Sequence, residues 1–542
     1  MRVNIGILVL TFSLSFASAF LTACGKEETE GEIKYNDKTI SLEVRIPDGL
    51  KDKWEEVNEL RITILITAGA YPQRFPYSPK SGKFKATFDG LTIEENFKIS
   101  LEAFGEGTLL FYGRKDNLKV GEKINLTLGS PDNFTLLATL DTPVWGHTQS
   151  VYDNDAKVLI FGGSTGGDYQ DGPNSALPEP TDYSTENMPL PQLYNHETGE
   201  VCTAGNDDCE LPPFPDEYKP RRIWHTATTL PTGEIVIVGG MDELGEPISQ
   251  ILIFDPKTGT VTSQKNDLLA RFGHQTALHP IKGLFIIGGY KKDKGNLVVA
   301  NDIITYDHEA NQGVAIQHTI PEPLAFHSVT TLQDGKTLLI AGGKNENSPF
   351  GIKNLYVYGD SGIQSLDVGE KSNMSNQRWM HSALLLKEGN VALMGGYASV
   401  AEPKAGDFGD IYLANVGSLG VVHKLVPDKE VGMLYGRVGL CAVVLGNNDI
   451  FVYGGIQRKN NTYITAAEPY IMRPTSAAEG GEGITLSYEP AGGSLGTEPI
   501  AEAADRSFAR ISRLIDGMLV ISGGFDGNGA AVAEIIGYME KK

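Results

Sequence analysis

The sequence predicts an all-β chain in which a small β-sandwich precedes a seven-bladed β-propeller. Three observations favour this fold: seven Gly-Gly pairs that each end an apolar run, a turn pair before each run, and an aromatic strand after each pair. Similar units in series are typical of repeat architectures. Because 542 residues exceed what one core supports, at least two globular units are expected.

The N-terminus has the pattern of an export signal. Residues 1–23 carry Arg2 as their only charge, followed by an apolar stretch, which is typical of a secretory signal peptide. The segment LTACG around Cys24 resembles the bacterial lipobox. The resemblance implies that the Cys24 thiol is diacylated and that Cys24 becomes the new N-terminus after cleavage. Gly25 implies an outer-membrane destination in a Gram-negative envelope. An uncleaved transmembrane anchor is the alternative, and residues 24–32 are expected to form a flexible tether.

Net charge disfavours one class of partner, and the position of each cysteine predicts its role. The net charge of −22 disfavours nucleic acid, because phosphate binding requires clustered Lys and Arg. In an oxidising envelope, Cys202 and Cys209 can close a polar loop as a disulfide. Cys441 lies in an apolar run and is expected to be a buried, unreactive side chain.

The first domain is expected over residues 33–130. Short segments with alternating polarity indicate half-buried antiparallel strands, and an immunoglobulin-like or transthyretin-like sandwich is the natural closure. We expect a stalk or adhesion module without a catalytic group. The predicted strands are 40–44, 60–64, 83–88, 98–103 and 123–128.

Seven similar units fill the chain after residue 131. A turn pair such as Asp334-Gly335 precedes each apolar run, and such pairs join hairpins. The glycine pairs are Gly162-Gly163, Gly239-Gly240, Gly288-Gly289, Gly342-Gly343, Gly395-Gly396, Gly454-Gly455 and Gly523-Gly524. The residues before the hairpins are His147, His225, His274, His327, His381, Arg437 and Arg510.

This series resembles the kelch repeat over residues 131–542, although the outer-strand tryptophan frequent in kelch repeats is largely missing. The resemblance implies a ring of blades with the glycine pairs near the axis, where no Cβ fits. The last unit ends soon after Tyr538 without a fourth strand. Residues 134–140 precede His147 at the spacing with which residues 314–318 precede His327. We therefore expect strand 134–140 to complete the last blade.

Arginines before the hairpins suggest a ligand site at the channel mouth. Arg222, Arg271 and Arg378 stand three residues before the repeat histidine, whereas Arg437 and Arg510 replace it. With Trp224 and Trp379 from the adjacent aromatic positions, they form a candidate basic ring for an anionic or carboxylated ligand. The alternative is that the arginines bind backbone carbonyls and hold the blades together.

The sequence favours a binding or scaffolding protein of the cell envelope, with a protein or glycan partner at the propeller rim. No metal or cofactor is expected, because histidines spaced one per blade do not converge on one ion. A carbohydrate-active enzyme is the alternative, either mutarotase-like or resembling the copper oxidases of the kelch superfamily. The copper oxidases need a Tyr crosslinked to a Cys, for which Cys441 is poorly placed.

Overall fold

The structure is a computed structural model of the chain, and the strands dominate the residues that it describes. Those residues are 28–35, 38–81, 96–119, 123–131, 133–154, 156–165, 188–307, 312–349, 351–366, 377–396, 411–415, 421–425, 437–459, 462–465, 469–476, 484–490, 506–526 and 530–539. No helix within them is long and apolar enough to cross a membrane. Cys24 and the predicted signal peptide lie outside these residues.

The first domain contains two sheets. Its strands are β1 (Glu28–Tyr35), β2 (Lys38–Arg45), β3 (Glu59–Ile66), β4 (Gly69–Pro76), β5 (Phe97–Gly105), β6 (Thr108–Leu118) and β7 (Lys123–Thr127). One sheet has the order β1-β2-β7 and the other β4-β3-β5-β6. A short helix, α1 (Lys51–Trp54), follows a 3-10 turn at Asp48–Leu50, and a second 3-10 turn spans Pro79–Ser81.

Both sheets share one hydrophobic core. Val44 of β2, Ile62 of β3 and Leu101 of β5 are buried in it, together with Trp54 of α1. Strands β1, β4 and β6 add to those that the sequence predicts, and the predicted strand 83–88 lies outside the described residues. Residues 28–32, expected as tether, instead belong to β1, because their backbone pairs with β2 in an antiparallel ladder.

Seven four-stranded sheets make up the rest of the described chain, and we number them as blades 1 to 7. The strands are β8 (Phe134–Thr139); in blade 1, β9 (Thr148–Tyr152), β10 (Lys157–Phe161), β11 (Gln192–Asn195) and β12 (Val201–Thr203); in blade 2, β13 (Thr226–Thr229), β14 (Ile235–Val238), β15 (Gln250–Asp255) and β16 (Thr260–Lys265); in blade 3, β17 (Gln275–His279), β18 (Gly283–Ile287), β21 (Asp302–Asp307) and β22 (Gln312–Thr319), with a hairpin of β19 (Tyr290–Asp293) and β20 (Asn296–Val299).

The remaining blades repeat this order. They contain, in blade 4, β23 (Ser328–Thr331), β24 (Leu338–Ala341), β25 (Leu355–Gly359) and β26 (Gly362–Ser365); in blade 5, β27 (Ser382–Leu385), β28 (Asn390–Met394), β29 (Ile411–Asn415) and β30 (Val421–Leu425); in blade 6, β31 (Cys441–Val444), β32 (Ile450–Tyr453), β35 (Tyr470–Ser476) and β36 (Ile484–Pro490), with a hairpin of β33 (Ile456–Lys459) and β34 (Thr462–Thr465); in blade 7, β37 (Arg510–Arg513), β38 (Met518–Ser522) and β39 (Glu534–Met539). Two 3-10 turns, Asp216–Tyr218 and Asp267–Leu269, precede blades 2 and 3.

The blades form a closed ring. The innermost strand of each blade contacts that of the next, and β37 of blade 7 returns to β9 of blade 1. Strand β8 is the outer strand of blade 7, because it pairs antiparallel with β39 in the order β37-β38-β39-β8. Blade 7 therefore contains strands from both ends of the propeller sequence. Strand β8 covers the edge of β39 that would otherwise be unpaired.

The glycine pairs hold each blade to the next. In every blade, the N–H of the second glycine donates to a backbone carbonyl just before the next blade. The bonds run from Gly163 to Arg222, Gly240 to Arg271, Gly289 to Leu324, Gly343 to Arg378, Gly396 to Arg437, Gly455 to Arg506 and Gly524 to Val144. A Cβ on the first glycine of blade 2, Gly239, would lie 2.4 Å from the carbonyl oxygen of Arg271. Only glycine fits such an approach.

The first domain packs against blades 1 and 7. Arg45 donates to the carbonyl of Leu137 in β8 at 2.8 Å and to that of His196 after β11 at 2.9 Å. His196 bonds Asp516, in the β37–β38 turn, at 2.9 Å. These contacts lie at the turn face, which we define as the side of the ring carrying the turns between the first two strands of each blade. The opposite side, with the connections after the glycine pairs, is the glycine face.

Replacing Gly239 with alanine should destabilise the ring far more than the same change at Gly259. Both residues have positive φ, +57° and +66°, but no atom lies within 4 Å of a Cβ at Gly259. We expect Gly259→Ala to lower the free energy of unfolding by about 1 kcal/mol, from backbone strain alone. Gly239→Ala should lower it by about 3 kcal/mol, since the clash adds to that strain. Equal losses in urea titrations would contradict this role for the pair.

Candidate functional site

A cavity of about 530 Å³ lies on the axis of the ring. The first strands of several blades form its wall, including Thr226 and Thr228 of β13 and Gln275 and Thr276 of β17. Thr228 and Thr276 share a hydrogen bond of 2.9 Å across the two blades. Thr229, at the turn end of β13, is exposed. The wall therefore carries hydroxyl, amide and imidazole groups, and the cavity extends towards the turn face.

Large apolar side chains close the cavity on the glycine side. Trp224 of blade 2 contacts Phe326 of blade 4 and Phe508 of blade 7, with ring centroids 5.3 and 6.4 Å apart. Because these blades are not neighbours, their side chains can meet only over the axis. We call Trp224, Phe326, Met380 and Phe508 the axial plug. All four have positive φ, and glycines occupy the equivalent position in the other three blades; the seven equivalent residues are Gly146, Trp224, Gly273, Phe326, Met380, Gly439 and Phe508.

The structure buries four arginines of the predicted basic ring. Arg222, Arg271, Arg378 and Arg437 are each at most 3% exposed. In each, Nη1 donates to the carbonyl of the first glycine of the same blade, 17 residues later, at 2.8 to 3.3 Å. Arg222 also donates to the carbonyls of Tyr218, Lys219 and Gln250, and burial lowers its pKa to about 9. These contacts favour the alternative that the repeated arginines hold the blades together.

The structure corrects the alignment of the last two blades. Arg437 was aligned with the repeat histidines, but its bond to Gly454 makes it the equivalent of Arg222. In blade 7 the equivalent residue is Arg506, which bonds Gly523 and which the sequence analysis missed. The constant spacing of 17 residues to the glycine pair was the signal that could have found it. Arg510 therefore does not replace a histidine; it is the first residue of β37.

The two predicted tryptophans are buried in an apolar cluster on the glycine side of the axis. Trp224 belongs to the axial plug and is 8% exposed, while Trp379 is 2% exposed. The Lys344 ammonium lies over the Trp379 ring, 4.4 Å from its centroid. The cluster joins residues before the first strands to residues after the glycine pairs, for example Ile223 to Met241. The channel mouth expected on this face is thus filled by side chains.

Comparisons with known proteins support the repeat family. A Kelch domain-containing protein of Archaeoglobus fulgidus is 32% identical over 93 residues, 17% of this chain and 27% of that protein. The fold is a kelch-like β-propeller. The tRNA wybutosine-synthesizing protein 4 of Candida glabrata is 25% identical over 264 residues, 46% of this chain and 35% of that protein. The chain thus spans about a third or less of these relatives.

The solved structure titled "Structure of YjhT" matches 64% of this chain and 99% of its own chain, with a TM-score of 0.41 and 13% identity. No protein-family model matches the sequence.

The five repeat histidines lie between blades; four of them are buried, and the fifth, His381, is partly buried. His225 and His274 each share a hydrogen bond with the threonine that begins the preceding blade, Thr148 at 2.8 Å and Thr226 at 3.0 Å. Burial holds the pKa of both well below the usual value and lowers that of His327 to about 3. These side chains are neutral near pH 7. His147 and His381 are the other two, and burial likewise lowers the pKa of each.

Three cysteines lie among the described residues. Cys202 and Cys209 form a disulfide. Cys441 is buried in β31, and burial raises its pKa to about 12, so the thiolate is disfavoured. In the described part of the chain, no group of three or more His, Cys, Asp or Glu side chains is arranged to hold a metal ion.

Acid should destabilise the propeller through these histidines. An unfolded histidine has a pKa of about 6.5, whereas His327 has one of about 3. Below pH 6.5 this histidine therefore binds a proton in the unfolded chain but not in the folded chain. The free energy of unfolding consequently falls as the pH falls. We expect one such histidine to cost about 2 kcal/mol between pH 7.5 and pH 5.0.

The variant His327→Leu tests this account, because Leu440 occupies the equivalent position in blade 6. Gly395 lies against Leu440 as Gly288 lies against His327. The variant should lose about 2 kcal/mol of the pH dependence of unfolding, measured by urea titration of parent and variant at both pH values. An unchanged pH dependence would exclude His327 as a source.

Proposed function

We propose that this protein is a lipid-anchored component of the bacterial cell envelope that binds a protein or glycan partner on the glycine face of the propeller. The observation that carries this proposal is the set of connections after the glycine pairs. Hairpins β19–β20 and β33–β34 are inserted there, whereas the turns of the opposite face are short. Varied loops on a rigid scaffold are the usual location of binding residues.

Neighbouring connections on the glycine face are bonded to each other. Lys292 of the β19–β20 hairpin pairs with Glu246 of blade 2 at 2.5 Å. On its other side, the N–H of Val299 donates to Glu346 of blade 4 at 2.7 Å. The Asp242 carboxylate accepts from the backbone N–H groups of Leu244 and Glu246, which fixes the blade 2 turn. A surface ordered before binding loses less entropy when a partner binds.

The orientation of the first domain also supports a partner on this face. The domain that follows the proposed anchor contacts blades 1 and 7 at the turn face, where Arg114 donates to the carbonyl of Ile515 at 3.5 Å. The glycine face is on the opposite side of the ring. The Cys202–Cys209 disulfide supports an oxidising compartment, because disulfides persist outside the cytosol.

A carbohydrate-active enzyme is the second candidate, and the axial cavity is the observation that favours it. Its volume of about 530 Å³ lies in the range of small-molecule sites. The histidines that line it are held neutral by burial, as for His225 and His274. They could exchange a proton only after a large rise in pKa, so we rank this candidate second.

Removing the acylated thiol should release the protein from membranes. We expect Cys24→Ala to move the protein from the membrane fraction to the soluble envelope fraction, because no acyl chain can then be attached. Mass spectrometry of the parent should show a lipid-modified N-terminal cysteine. Cys441→Ala is the matched control, because it removes a buried thiol and should leave fractionation unchanged. A membrane-bound Cys24→Ala variant would argue for the transmembrane alternative.

Two exposed hydrophobic residues on opposite faces test where the partner binds. Leu244 is 85% exposed at the glycine face, and Ile281 is 86% exposed in a turn of the other face. We expect Leu244→Ser to weaken binding at least about tenfold, as loss of an interface anchor does, and Ile281→Ser to leave it unchanged. Binding is measured with the full chain on glycan arrays and by crosslinking mass spectrometry in intact cells. Equal binding by both variants would exclude this part of the glycine face.

A further inference from the structure

Arg510 departs from the repeat at a position that faces the axial cavity. It is the first residue of the innermost strand in blade 7. The residues at the same position in blades 1 to 7 are Thr148, Thr226, Gln275, Ser328, Ser382, Cys441 and Arg510. Six of these are small or neutral. A repeated residue is explained by the repeated architecture, but a single guanidinium among six neutral side chains is not.

The structural contact at this position uses only one of the N–H groups of Arg510. In blade 4, Ser328 meets His381 of the next blade at 2.8 Å, as Thr148 and Thr226 do in their blades. Arg510 makes the corresponding contact through Nε, which donates to the carbonyl of His147 at 2.8 Å. Arginine has five N–H donors. Among the described residues, none accepts a hydrogen bond from its Nη1 or Nη2.

The charge of Arg510 is not balanced inside the cavity. Its guanidinium lowers the pKa of both His147 in blade 1 and His225 in blade 2, so its field acts across the space between these blades. The described residues that line the cavity include no Asp or Glu. Burial lowers the pKa of Arg510 itself. Arg510 is partly buried. A partly buried charge without a partner is costly, and an anion would reduce that cost.

We propose that the axial cavity binds a small hydroxylated carboxylate, with the carboxylate held by the Nη groups of Arg510. Two parallel N–H groups match the two oxygens of a carboxylate. The hydroxyl groups of the ligand would face Gln275 and the Thr228–Thr276 pair on the opposite wall. The axial plug separates this site from the partner surface of the glycine face, so the two proposals stand or fall independently.

Titration calorimetry of the full chain with D-gluconate and with D-glucitol tests the site, because the two probes differ only in the carboxylate. We expect gluconate to bind in the millimolar range or tighter and glucitol not to bind. Arg510→Gln should weaken gluconate at least tenfold, and the fold should tolerate it because Gln275 occupies the same position in blade 3. Arg510→Lys should be intermediate, since an ammonium cannot hold both oxygens in parallel.

Arg74→Gln is the matched control, because it makes the same charge change on β4, far from the axis. It should bind gluconate like the parent. Equal affinity of the parent and Arg510→Gln, equal affinity for gluconate and glucitol, or no binding of gluconate by the parent would overturn the proposal. If Arg510→Gln does not fold, a crystal of the parent with gluconate decides: a carboxylate on the Nη groups supports the site, and a carboxylate elsewhere refutes it.

Discussion

The structure depends on one repeated contact, the hydrogen bond from the second glycine of each pair to a carbonyl of the next blade. Seven such bonds run around the axis, and the last, from Gly524 to Val144, returns to blade 1. The same approach brings the first glycine within 2.1 to 2.6 Å of that neighbouring backbone, measured from an added Cβ. The ring can close at this radius only because the Cβ is absent.

The positions of the buried arginines and histidines are explained by this contact between blades. An arginine of the same blade, such as Arg222, binds the carbonyl of the first glycine, while the second glycine binds the next blade. The glycine pair is therefore held from both sides. The repeat histidines fill the space left beside the first glycine, where His225 lies against Gly162 and His147 against Gly523. A full positive charge is acceptable here because four carbonyl oxygens surround the Arg222 guanidinium.

The repeat could be predicted from the sequence because glycine pairs and turn pairs are local signals. Strand register and tertiary contacts are not local and could not be predicted in the same way. Strand spacing placed residues 134–140 as an outer strand, and β8 pairs with β39. Residue type alone could not separate Arg437 from Arg510, because an arginine stands near both expected positions; the spacing of 17 residues to the first glycine and the bond to Gly454 assign Arg437. The positive φ of Trp224 and Phe508 was equally hidden, since residues with a Cβ rarely adopt it. Closure of the mouth by these side chains followed from that backbone.

Departures from the repeat are therefore the places to look for chemistry specific to this chain, but departure alone is insufficient. Asp302 is also a buried charge, and the structure accounts for it: its two oxygens pair with Arg271 at 2.7 Å and Lys291 at 2.9 Å. Both cations thus have an anionic partner. Arg510 differs because its Nε satisfies the architectural contact while the rest of its charge faces a cavity whose described walls include no carboxylate. A charge that the described residues of the cavity do not balance is one that a ligand can balance.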